Sequence, residues 1–176
     1  MKAHSFIYLI IYSCFIMSVS LQAQEHFADR YNVSYITMDD GLPHNFIDDI
    51  YKDTRGFLWI STAGGGLSRY DGYEFIHFNP NTPHSKLKSN FIHNVYEDRF
   101  HRLWIVSEGG TDIIDLSTLQ SVIPNDPKGL LPRFINHPTY IVILDSQGCI
   151  WLQCDNALHR ITFDAEGGID TLSTLD

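Results

Sequence analysis

Phe46-Ile47-Asp48-Asp49-Ile50-Tyr51-Lys52-Asp53-Thr54-Arg55-Gly56-Phe57-Leu58-Trp59-Ile60 is the stretch from which the fold can be read, because the chain repeats it twice more. The second copy is Phe91-Ile92-His93-Asn94-Val95-Tyr96-Glu97-Asp98-Arg99-Phe100-His101-Arg102-Leu103-Trp104-Ile105. The third is Tyr140-Ile141-Val142-Ile143-Leu144-Asp145-Ser146-Gln147-Gly148-Cys149-Ile150-Trp151-Leu152. In every copy an Asp stands six residues before a Trp, and Leu or Ile flanks the Trp on both sides. The three Trp positions, 59, 104 and 151, are 45 and 47 residues apart.

Each copy reads as paired strands. Two β-prone segments flank Asp53-Thr54-Arg55-Gly56 and Asp145-Ser146-Gln147-Gly148, which fit tight turns with Asp first and Gly fourth. In the second copy His101 replaces the Gly, a residue that tolerates a left-handed backbone better than most. After the Trp strand, Ala63-Gly64-Gly65-Gly66 and Asp71-Gly72 turn the chain twice more. Gly109-Gly110 and Asp155-Asn156 take the first of these places in the later copies. The Trp strands are apolar on both faces, as in a sheet covered on both sides. Four antiparallel strands per unit of about 45 residues describe a propeller blade. The expected fold is therefore all-β: a partial β-propeller with blades at approximately 42–79, 88–124 and 137–176, and a leading strand Val33-Ser34-Tyr35-Ile36-Thr37. No helix is signalled after residue 23.

Residues 1–23 carry one charge, Lys2, then an apolar run from Phe6 to Val19 and a small residue, Ala23. This is the layout of a cleaved secretory signal peptide, placing the mature chain in the periplasm. The whole chain has 176 residues, 44% of them hydrophobic and 19% charged, which excludes a disordered protein. Its formal net charge of −9 argues against nucleic acid as a partner. Cys149 and Cys154 lie five positions apart in one strand, so they face opposite ways and are expected as separate buried thiols.

The spacing resembles the two-component regulator propeller repeat. The match is carried by Asp40-Gly41-Leu42-Pro43-His44-Asn45, by Asp53 with Gly56, Leu58, Trp59, Ile60 and Thr62, and by Gly66-Leu67 with Arg69-Tyr70-Asp71-Gly72. The later copies depart from the pattern after the Trp. The resemblance implies the exported sensor region of a Bacteroidetes hybrid two-component system. In such systems a transmembrane helix, a histidine kinase and a receiver follow the propellers, and the usual signals are oligosaccharides. The kinase and the membrane contact would then lie in regions absent from this chain.

Catalytic signatures are weak. There is no nucleophile elbow, zinc helix or phosphate loop, and Gly64-Gly65-Gly66 is better explained as a turn between strands. Asp48 and Asp49 are adjacent in a strand and so face apart. No metal, cofactor or catalytic residue is expected. The candidate ligand-binding residues are those of the loops ringing one channel mouth: His44, Asn45, Ser89, Asn90, Glu108 and Asp155. Asn45 and Asn90 have a plainer reading, as caps of turn backbone. The expected function is a ligand-sensing propeller segment with an oligosaccharide partner. A carbohydrate-active enzyme using Glu108 and Asp155, or a scaffold without a small ligand, are the alternatives.

Closure takes at least about four blades. Three blades are expected to leave faces and edges open, making the missing blades or another propeller chain a partner, and the chain alone marginal or self-associating.

Overall fold

A computed structural model describes residues 33–83 and 86–175. The expected signal peptide, 1–23, lies outside them. The chain divides into two compact units, Met1–Ile36 and Thr37–Asp176, and every strand described here belongs to the second.

Val33–Thr37 forms no strand, contrary to the sequence expectation. A strand needs a neighbour's ladder, and the end of this segment is committed elsewhere. The Thr37 hydroxyl accepts the Asp39 N–H, while the Asp40 carboxylate accepts the Thr37 N–H at 2.8 Å, capping a single 3-10 turn over Met38–Asp40.

Three antiparallel sheets follow in chain order. The first runs β1 (Ile47–Lys52), β2 (Leu58–Thr62), β3 (Gly66–Tyr70) and β4 (Phe75–Phe78), and the second β5 (Ile92–Glu97), β6 (Arg102–Ser107) and β7 (Gly110–Asp115). The third is β8 (Thr139–Leu144), β9 (Ile150–Cys154), β10 (Ala157–Phe163) and β11 (Ile169–Leu175). Between the second and third sheets lies one helical turn, α1 (Pro132–Ile135), which the sequence did not signal.

The middle sheet has three strands where four were expected. After β7 the Asp115 carboxylate gathers the N–H groups of Ser117 and Thr118, and Leu119 turns left-handed at φ 57°. The returning chain makes the bridge Ile114–Ser121, through the Asp115 N–H donated to the Gln120 carbonyl at 3.0 Å and the Val122 N–H donated to the Ile113 carbonyl at 2.9 Å, but no full strand. Pro124, which has no N–H, then ends any further ladder.

The sheets stack face on face. Trp59, Leu67, Phe78, Ile92, Val95, Leu103 and Ile105 form the core between the first and second. Trp104, Val106, Val142, Ile150, Leu152, Ile161 and Phe163 form the core between the second and third. Trp59 and Trp104 are each 0% exposed, and burying side chains of this size dominates a core's energetics. Trp151 belongs to the outer face of the third sheet and remains half-buried, with Arg160 stacked 5.8 Å from its ring. Equivalent Tyr residues of β1 and β5, Tyr51 and Tyr96, meet with ring centroids 5.1 Å apart. Cys149 and Cys154 are buried free thiols, and burial pushes the Cys154 thiol up.

Candidate functional site

The repeated Asp is a structural device. In each copy one carboxylate oxygen accepts the indole N–H six residues on: Asp53–Trp59 at 2.9 Å, Asp98–Trp104 at 2.8 Å and Asp145–Trp151 at 2.9 Å. The other oxygen accepts the backbone N–H groups two and four residues on, fixing the turn. His101 takes the left-handed place at φ 59°, where Gly56 and Gly148 sit in the other copies. With two backbone donors and the indole on it, Asp145 has its carboxyl lowered to about 2, the Cys149 N–H contributing most.

A second device joins the blades near their innermost strands. The Asp49 carboxylate accepts the Val95 N–H at 3.1 Å and the Asn94 amide at 3.3 Å. Asn94 in turn accepts the Val142 N–H at 2.8 Å. Asp49 and Asn94 occupy the same place in successive copies, so one position carries a relay across two junctions. In the third copy that place is Ile141, which has no acceptor.

The residue just before each relay position defines the candidate site. All three innermost strands carry a bulge: the register with the neighbouring strand passes from Ile47 to Asp49, from Ile92 to Asn94, and from Thr139 to Ile141. The skipped residues are Asp48, His93 and Tyr140. A bulge re-aims its side chain and often sits beside a functional site. The His93 ring packs tilted against Tyr140, with ring centroids 5.2 Å apart. Asp48 and His93 both line a cavity of about 280 Å³, together with Ala63, Phe91, Ile92 and Glu108. That volume is near the lower end for a small-ligand site, roughly 300 Å³ and up. His93 Nε2 is buried and has no hydrogen-bond partner among the described residues.

Of the six residues singled out from the sequence, Glu108 lines this cavity and the others hold backbone or lie elsewhere. His44 Nδ1 accepts the Phe46 N–H at 3.0 Å, and the Ser89 hydroxyl accepts the Phe91 N–H at 3.0 Å. Asn45 accepts the Met38 N–H at 3.1 Å, the plainer role considered for it. The Asn90 carbonyl accepts the Gly66 N–H, and its side-chain oxygen is buried near Gly66. Gly66, at φ 82°, has no room for a Cβ against the Phe78 carbonyl, so the triple glycine is a turn, as expected. Asp155, at φ 50°, is exposed in the β9–β10 turn, 3.9 Å from His137. The bulge residues carried no signal of their own in the sequence: their flanks, Ile47 and Asp49, Ile92 and Asn94, Thr139 and Ile141, are as mixed as Asp48, His93 and Tyr140 themselves.

Antiparallel sheets of three or four strands, each with the same Asp–Trp turn and a bulged innermost strand, define this chain as a run of propeller blades. Residues 41–64 and 86–109 match the model of the two component regulator propeller. Among solved structures it is similar to the extracellular domain described as that of a hybrid two component system from B. thetaiotaomicron. There the identity is 22% and the TM-score 0.62, over 78% of this chain and 19% of that one. A second similar structure is the extracellular domain described as that of a one component system from the same organism, with 19% identity and TM-score 0.57 over 83% and 26% of the two chains. A streptogramin B lyase shares the fold at 14% identity and TM-score 0.50, over 77% and 42%. The chain thus spans about a fifth to a quarter of the two sensor-system structures. No curated protein matches it. Among the described residues no helix is long and apolar enough to cross a membrane.

Proposed function

We propose that the chain is a ligand-sensing propeller segment of an extracytoplasmic signal-transduction regulator, and that it takes an oligosaccharide at the row of bulge residues. The observation that carries this reading is the cavity between the first two blades, where Asp48, His93, Phe91 and Glu108 converge. Carboxylates and imidazole suit sugar hydroxyls, and the exposed rings of Phe91 and Tyr140 suit the apolar faces of a pyranose. The apolar N-terminal run and the family of the repeats support export. The outer face of the third sheet, with Ile141, Ile143 and Leu175 exposed, would take a further blade as its partner. Calorimetry of the chain against a panel of oligosaccharides tests the site. Saturable binding that H93A abolishes, with an unchanged melting temperature, is expected; binding indifferent to H93A would contradict it.

A second reading rests on one observation: Asp48 and Glu108 line one cavity, and glycoside hydrolysis uses two carboxylates across a bond. New reducing ends from any panel member, lost in both D48N and E108Q, would favour that reading over sensing.

A further inference from the structure

We infer that the outer face of the third sheet docks on the first blade of a second copy of this chain, so that two copies join head to tail in a closed pair. The chain already builds two junctions of this kind. Trp59, Leu67 and Phe78 are the side chains of the first sheet that enter the core shared with the second. The ladder registers carry those three places to Trp151, Leu158 and Leu175 of the third sheet. All three remain apolar, yet Phe78 is 2% exposed and Leu175 54%. The receiving face repeats as well. Ile92, Val95, Leu103, Ile105 and Ile114 of the second sheet correspond to Ile47, Ile50, Leu58, Ile60 and Tyr70 of the first. Val95 is 1% exposed beneath the first sheet, whereas Ile50 is 59% exposed. The two ends of the stack are thus the two halves of one repeated junction.

A face that fits a different face of the same molecule gives a head-to-tail contact, which stops growing only when the ring closes. Two copies supply six blades, inside the range of about four to eight found in closed propellers. The polar places at the open ends also change together. Asp49 and Asn94 each accept an N–H from the next blade. The third sheet has Ile141 at that place, 45% exposed, and it would close on Ile50 of the second copy. Across the first junction Thr54 donates its hydroxyl to Glu97. Between copies the same places are Ser146 and Lys52, both exposed. There the hydroxyl would accept from the ammonium, so no acid is left without a donor. Pairing of two third-sheet faces lacks these matches and would bring both Arg160 guanidinium groups into one junction. The contact needs no ligand, and it identifies the further blade expected on the third sheet as the first blade of a second copy.

The test is sedimentation velocity of the full chain over a concentration series. The parent chain should pass from monomer to pair. I50K and I143K, at positions 59% and 47% exposed, should each sediment as a monomer where the parent is paired. An equimolar mixture of the two should recover a pair, because the intact third sheet of one variant meets the intact first blade of the other. With one junction in place of two, recovery should need about 10²-fold higher concentration. Recovery also shows that both variants are folded. A parent chain that is monomeric at about 100 μM, or that grows into species larger than a pair, overturns the inference. So does association lost in only one of the two variants, which would mean that a face pairs with itself, and so does a mixture that stays monomeric. Each of these results leaves the ligand-sensing reading standing, since saccharide calorimetry judges that separately.

Discussion

At the residue scale, one carboxylate per blade satisfies three donors. Asp98 accepts the Trp104 indole and the Arg102 Nε, the latter at 2.7 Å, and its side chain is 0% exposed. D98A would strand a buried guanidinium as well as an indole N–H, at a cost of about 3–5 kcal/mol. D145A removes the same motif at the rim of the third sheet, where the side chain is 26% exposed, and should cost clearly less. Urea melts of the two variants check the order. The titration of Asp145 has a definite sign. Its carboxyl is held at about 2 in the folded chain against 3.8 in the open chain, so its stabilising effect is complete above 3.8 and disappears as pH falls toward 2. D145N should flatten that part of the acid-denaturation curve. The Asp-to-Trp spacing was plain in the sequence. Its meaning was not, because a spacing of six does not say which atoms meet. The loop residues His44, Asn45 and Ser89 were legible as polar and well placed. That their acceptors face their own backbone depends on turn geometry, which residue type does not specify.

At the scale of elements, the junction between the first two blades is closed by a polar cluster beneath the relay. Thr54 donates both its N–H, at 2.7 Å, and its hydroxyl, at 2.6 Å, to the Glu97 carboxylate, and His101 lies 2.9 Å from the same group. Burial pushes the Glu97 carboxyl up, but the bonds from Thr54 and His101 outweigh it and hold it below its ordinary range. Glu97 therefore stabilises the fold above about pH 4.5 and loses that effect as pH falls below it. A double-mutant cycle with T54A and E97Q should give a coupling of about 1.5–3 kcal/mol at pH 7, shrinking in acid. A coupling independent of pH would mean that the charge is not what joins these blades. Strand order was legible because apolar runs alternate with turn residues at a fixed period. The lost fourth strand of the second blade was not, since Ser121-Val122-Ile123 has strand composition. Its failure to pair comes from the Asp115 turn that delivers it and from Pro124 behind it.

At the scale of the whole described stack, the three tryptophans differ although their motifs do not. Trp59 and Trp104 are sealed between blades, while Trp151 faces outward beneath Arg160. Acrylamide should quench one component of the tryptophan emission, and W151F should remove that component; uniform protection of all three would contradict the stacking order. The repeat made this arrangement readable in outline, because a blade that buries its neighbour's Trp must follow it in the chain. What the sequence concealed was the row Asp48, His93 and Tyr140, since a bulge is an event of register between two strands. The central claim is that this row is where a ligand sits. Amide hydrogen exchange with and without a bound saccharide tests it most directly. New protection confined to 46–49, 91–94, 108–109 and 139–141 is the predicted result, and protection elsewhere or none at all would contradict the account.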